Sequence, residues 1–358
     1  MALRKTIGTM FTLLLSMALV VSIVCFFLRD WLLKLVNTPA ESYAYTMDYT
    51  LICIVGLVFI YGYNVVSAIM RGMGDSKRPF MFVAIAAIMN MILDVIFVAY
   101  FKMEVAGAAW ATVIGQGFSF IYVIFYLYRH RDTFEFDFKP KSFIPDKKML
   151  KRITSLGIPM ALQSAAISIS MTVVAAWVNS FGVIASAIAG ILGKINMMMG
   201  ILSNAVTTAA ASMVGQNLGA RKYDRVPKIL LWGASGSLVL AIICSAIIWK
   251  FPNVIFGLFT KDAAVLAGAS VIILPAILNF MGAATRCFAF GIINGSGNSK
   301  LNLAVAILDG VISRIGLAYL LGWAMGMGPQ GFWLGDALAG FVPFFIGGIF
   351  YASGKWKA

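Results

Sequence analysis

The chain has 358 residues, 61% hydrophobic and 12% charged, with a mean hydropathy of +0.91, and this composition excludes a water-soluble globular domain. Its net charge of +14 lies in short segments between apolar runs, which sets it apart from a nucleic-acid footprint on a basic folded surface. Cys25, Cys53, Cys244 and Cys287 sit inside apolar runs without CxxC spacing, His130 is alone in a basic loop, and no Ser/His/Asp set or phosphate loop is present. A hydrolytic or ATP-driven mechanism has no residues to run on, and no cofactor is expected.

From the amino end, apolar runs at 6–28, 43–70, 80–100 and 105–128 are each long enough to cross a hydrocarbon core of about 30 Å. A polar stretch, 129–153, follows with Pro140 and Pro145, and six more runs occupy 154–180, 184–213, 228–250, 265–293, 299–321 and 331–352. The expected fold is an all-α polytopic membrane protein. Alternate connections carry twenty Lys and Arg, against five in the other set: Arg29, Lys34, Lys102, Lys250 and Lys261. By the positive-inside rule this asymmetry puts both termini and the 129–153 segment on the cytoplasmic side of an inner (plasma) membrane.

The two halves match at an offset of 223 residues: Arg71 to Lys77 falls on Asn294 to Lys300, Lys5 on Lys228, Leu35 on Leu258 and Leu51 on Leu274. Gly107 then pairs with Gly331 after a shift of one. Residue 1 maps to 224, so the 75 residues from 149 to 223, two spans, have no partner at the amino end. The expectation is two pseudo-symmetric bundles of six helices, present here as four and six. They divide into an amino-terminal lobe (1–128), an inter-lobe linker (129–153) and a carboxy-terminal lobe (154–358). An even number of helices per repeat makes the lobes parallel, as in transporters that rock two bundles about a central site. Gly72, Gly74, Gly295 and Gly297 are read as tight turns between long helices.

The strings RGMGDSKRP at 71–79, NGSGNSK at 294–300 and VGQNLGARKYDRV at 214–226 resemble the multidrug and toxic compound extrusion (MATE) family. The resemblance implies a twelve-helix exporter driven by sodium or proton antiport, working as a monomer, with this chain similar to helices three to twelve.

Of the fourteen acids, eleven lie in connections or, like Asp48, near a span end, and Asp94, Asp309 and Asp336 fall within the spans, where a carboxylate in hydrocarbon marks an ion path or a paired structural site. Asn90 and Asp94 are four apart and share one helix face. Asp94 is about 21 Å along the helix from Phe80, too deep to snorkel to the inner headgroups. An oxygen-rich shell there suits a hard cation or a proton. The resemblance to the DinF-like branch implies a cation site of Tyr49, Asn90, Asp94 and Thr112, although that branch also uses an Asp on its first helix, which this chain lacks. Acids are absent from 154–180 and 265–293, which argues against a second cation site of the kind another branch carries.

Arg286, Asp309 and Arg314 are expected to form a structural charge network in the second lobe. Asp336, near the outer end of its span, is expected to be hydrated. Lys194, Asn196 and Met197, with Gln163 after Gly157-Ile158-Pro159, are candidates for a substrate cavity. The reading is a secondary-active exporter of amphipathic or cationic small molecules, coupled to Na⁺ or H⁺, with membrane lipids as neighbours and substrate held in a cleft between the lobes. The alternatives are a lipid-linked oligosaccharide flippase, which calls for a strongly basic cavity, and a shortened, non-transporting fragment.

Overall fold

A computed structural model describes residues 2–35, 42–131, 134 and 136–357. Among them are ten helices long and apolar enough to span a membrane. The first part contains α1 (Ala2–Leu35), α2 (Tyr43–Gly72), α3 (Lys77–Asp94), which continues as a π-helical turn over Val95–Tyr100, and α4 (Glu104–Arg129). Next come α5 (Lys147–Asn179), α6 (Val183–Gly219), α7 (Val226–Lys250), short α8 (Pro252–Gly257) and α9 (Ala263–Ala267), and α10 (Ile273–Gly295). The last part holds α11 (Ser299–Ile307), α12 (Arg314–Tyr319), α13 (Pro329–Ala339) and α14 (Val342–Ala352), with π turns at Leu308–Ser313 and Leu320–Ala324 flanking α12.

Contacts divide the chain into two units, residues 1–154 and 155–358. In the first, α2 packs on α1 and α4, and α4 packs on α3. Its core includes Val65, Val66, Met70 and Val123. In the second, α10 lies against α6, α7, α13 and α14. Phe256, Ile272, Phe280 and Phe332 fill one of its cores, and Leu230, Ile293 and Trp356 another. The exterior is the reverse of a soluble protein: Phe27, Trp232 and Ile349 are 76%, 77% and 73% exposed. Such a surface matches acyl chains, and helices satisfy their backbone polar groups internally, as hydrocarbon requires.

The repeat is visible bond by bond. At the end of α2, Gly74 N–H donates to Arg71 and Asp75 N–H to Met70, and at the end of α10, Gly297 N–H donates to Asn294 and Asn298 N–H to Ile293. Gly74 and Gly297 sit at φ +91° and +70°, which a side chain rarely tolerates. Farther on, Phe101 N–H donates to Ile96 and Met103 N–H to Phe97, while Met325 N–H donates to Leu320 and Met327 N–H to Leu321. The offset there has grown to 224.

Several boundaries differ from expectation. The run expected as a span from 265 begins as a long helix only at Ile273. Pro275 cannot donate to the carbonyl of residue 271 and its ring crowds it, which favours a break here, whereas α5 runs on through Pro159. By the same rule Pro343 breaks the last span at Ala339, giving α13 and α14 in place of one helix. Helix α5 starts at Lys147 and not at 154, because the Asp146 carboxylate accepts from the N–H groups of Lys148 and Met149, both at 3.1 Å.

The 129–153 stretch does more than connect. Phe134 and Phe136 are buried in the core of the first unit, with Phe11 stacked near Phe136. Arg4 pairs with Asp137 at 2.7 Å and Lys5 with Asp146 at 2.9 Å. The Ser142 hydroxyl, the Lys139 N–H and the Arg4 charge hold the Asp137 carboxyl below the usual carboxylate range. Lys5, with the Met149 N–H, does the same for Asp146.

Candidate cation site

Asn90 and Asp94 occupy the last two turns of α3, and the π turn starts at the next residue, Val95. A π turn widens the helix and shifts its hydrogen-bond pattern, and such turns recur at functional sites. Across from Asn90, Thr112 stands on α4. Gly115 allows this approach: a Cβ there would lie 3.1 Å from the Ala86 carbonyl oxygen and 3.4 Å from the Asn90 Cβ. Asn90 Nδ2 reaches Thr112 Oγ1 at 3.4 Å, a long contact, and the Thr112 hydroxyl donates to the Ala108 carbonyl at 2.9 Å.

Asn90 and Thr112 line a cavity of about 200 Å³, together with Tyr63, Ala86, Gln116 and Ser119. Tyr63 donates to the Pro79 carbonyl at 3.1 Å and Ser119 to the Phe82 carbonyl at 3.2 Å, which fixes both side chains. Asp94 lies one turn beyond the cavity wall. Its Oδ1 is buried and accepts no hydrogen bond among the described residues. A buried, unsatisfied carboxylate oxygen is costly, and a proton or a cation would relieve that cost. Tyr49 is exposed on α2, beside Cys53 and within electrostatic reach of Asp94. Three of the four expected residues are thus gathered on α3 and α4, with Tyr49 at the margin. Gln116 was not anticipated, although its position four residues after Thr112 puts it on the same helix face.

In the second unit, the charge network differs from expectation. Arg314 donates to Asp309 at 3.2 Å and also to Asp336, which is therefore paired and not merely hydrated. Arg286 takes no carboxylate among the described residues and donates from Nε to the Gly340 carbonyl at 3.3 Å. The cause is the break after Ala339, which leaves the Gly340 carbonyl open to a donor. Of the cavity candidates, Asn196 lines a pocket with Trp333 and Asp336. Lys194 is exposed and lies over the Phe259 ring, Met197 is 67% exposed, and Gln163 is buried away from that pocket.

Ten apolar spans in two helical units define a multi-pass α-helical membrane protein. The MatE family model matches residues 1–96 and 159–320, and the chain belongs to that family. It is 27% identical over 93% of its length to the probable multidrug resistance protein YpnP of Bacillus subtilis, spanning 74% of that protein. It is 22% identical to the multidrug export protein MepA of Staphylococcus aureus, over 83% of this chain and 65% of MepA. Among solved structures, an outward-facing multidrug resistance MATE transporter superposes with a TM-score of 0.89 at 20% identity, over 100% of this chain and 85% of the other. A MATE protein in its bent conformation gives 0.85 at 21% identity, over 99% and 85%.

Proposed function

We propose that the chain acts as a multidrug exporter of the plasma membrane, exchanging amphipathic or cationic small molecules for Na⁺ or H⁺ by alternating access, with both termini in the cytoplasm. The observation that carries the coupling is the orphaned Asp94 Oδ1, one turn from the Asn90–Thr112 cavity and at the start of a π turn. The names of the curated relatives support the substrate class. A cation bound at Asp94 acts only through its differential affinity for the two states of the transporter. A flippase of anionic lipid-linked sugars is not favoured, because the cavity beside Asn90 has no Lys or Arg in its wall.

The test is ethidium efflux by the full chain in proteoliposomes, with an imposed Na⁺ or pH gradient. Gradient-driven efflux by the wild-type chain and its loss in Asp94→Asn support the reading. Efflux that proceeds unchanged in the variant removes Asp94 from the mechanism.

A further inference from the structure

In the first unit, the stretch from Asp137 to Lys151 forms a strap with two unlike sides. Its inner side is pinned to the second and third turns of α1. A Cβ on Gly8 would fall 1.7 Å from the Ser142 carbonyl oxygen, the Thr12 hydroxyl donates to the Phe143 carbonyl, and the Asp146 N–H donates to the Thr9 hydroxyl at 3.0 Å. The Phe143 ring meets Phe11 edge-on, and Arg4 and Lys5 hold the two carboxylates of the strap, Asp137 and Asp146. The outer side exposes Lys139, Lys141, Lys147, Lys148 and Lys151, and between them Ile144 is 66% exposed.

Helix α1 sets the depth of the strap. Its span, Leu3–Lys34, has 32 residues and is about 48 Å long, against a hydrocarbon core of about 30 Å. About six residues overhang at each end, which puts Gly8 to Thr12 where headgroups give way to acyl chains. An exposed isoleucine flanked by lysines at that depth is the pattern of an interfacial anchor. The lysines are also uncompensated. Both acids of the strap are taken by α1, and among the described residues none of the five lysines has an ion-pair partner. Lys147, Lys148 and Lys151 stand in the first turns of α5, at the positive end of its dipole, where a cation is unfavourable and an anion is stabilised.

We propose that the strap is a binding site for an anionic phospholipid, with the phosphate among the Lys139, Lys141, Lys147 and Lys148 ammonium groups and an acyl chain against Ile144. A cluster of roughly four to eight bases beside a spanning helix attracts an anionic leaflet. Here the backbone that carries them is already fixed to α1, so little ordering entropy is lost when the lipid arrives. The inference takes from the proposed function only its orientation, in which this leaflet is the cytoplasmic one, and nothing from Asp94. It is measured as binding, without gradient or drug, so either reading can fail alone.

The test uses the purified full chain in detergent, titrated with phosphatidylglycerol or phosphatidylcholine and read by native mass spectrometry. The wild-type chain is expected to hold phosphatidylglycerol at least about tenfold more tightly than phosphatidylcholine. Lys139→Gln, Lys141→Gln, Lys147→Gln and Lys148→Gln combined should remove most of that preference, and Ile144→Glu should weaken phosphatidylglycerol about fivefold or more. Gln at Arg221, Lys222, Arg225 and Lys228, four exposed bases before α7, should leave the preference in place. Glycerol phosphate should not displace the lipid. A second measurement needs no variant: in nanodiscs, acetylation of the four strap lysines by a water-soluble ester should fall about threefold or more on going from phosphatidylcholine to phosphatidylglycerol, relative to Lys222 and Lys228. Equal retention of the two lipids, an equal loss of preference from the control set, binding unmoved in Ile144→Glu, displacement by glycerol phosphate, or no excess protection of the strap lysines each overturns the proposal.

Discussion

Gly115 lies so close to Ala86 that a Cβ on the glycine would stand 3.1 Å from the Ala86 carbonyl oxygen. This contact sets the separation of α3 and α4 and thereby the reach from Asn90 to Thr112. Gly115→Val should push the helices apart, cost about 1–3 kcal/mol of stability as overpacking does, and lower the midpoint of thermal unfolding in detergent. Gly72→Ala, where a Cβ meets nothing within 4 Å, should leave that midpoint unchanged to within a degree or two.

In the proposed cation shell beside Asp94, Thr112 contributes the hydroxyl that stands 3.4 Å from the Asn90 amide. Thr112→Val keeps the shape and removes that oxygen. The concentration of Na⁺ or H⁺ giving half-maximal efflux should rise roughly tenfold, the effect of about 1.4 kcal/mol, with maximal efflux retained. Unchanged half-saturation would place Thr112 outside the shell.

Arg314 serves two carboxylates in a dry environment. Arg314→Met should strand Asp309 as a buried, uncompensated charge and cost about 3–5 kcal/mol, read as a loss of folded protein on size exclusion. Combining it with Asp309→Leu should recover most of that loss, because the stranded carboxylate is then removed while Asp336 remains to balance Arg286, and a packed apolar replacement of a buried ion pair is often neutral or better.

The pairs at the amino end predict a pH dependence. Asp137 and Asp146 have folded pKa values held below the unfolded value of about 3.9. Their contribution is fully present above that unfolded value and is lost as the pH falls through the depressed folded values. Amide protection factors in the first turns of α1, referred to the intrinsic exchange rate at each pH, should therefore fall as the pH drops below about 4. Asp137→Asn combined with Asp146→Asn should remove the transition at its source.

How far the sequence reached can be traced residue by residue. Run length and hydropathy located the ten spans, because hydrocarbon thickness dictates both. The Asn90 and Asp94 face was legible from their four-residue spacing, and Thr112 from a family resemblance. What escaped was governed by single residues acting at a distance. Pro275 and Pro343 interrupt helices whose hydropathy runs on unbroken, and Asp146 starts a helix well outside the apolar run. Asp336 looked isolated because its partner, Arg314, is 22 residues away on another helix. Spacing along one helix reveals neighbours on that helix alone. The burial of Phe134 and Phe136 was likewise hidden by the charges around them.

Between the turn at Gly297 and the turn at Leu320 the second half gains one residue over the first, and the additional π turn at Leu308–Ser313 falls in that interval. An inserted residue in a regular α-helix would swing everything downstream by about 100°. Taken up as a bulge, it leaves the far end in phase with its counterpart, so that the insertion is paid for locally. Asp309 belongs to that swollen turn, so the stretch in which the two halves fall one residue out of step is also the place where the second carries a buried acid of its own.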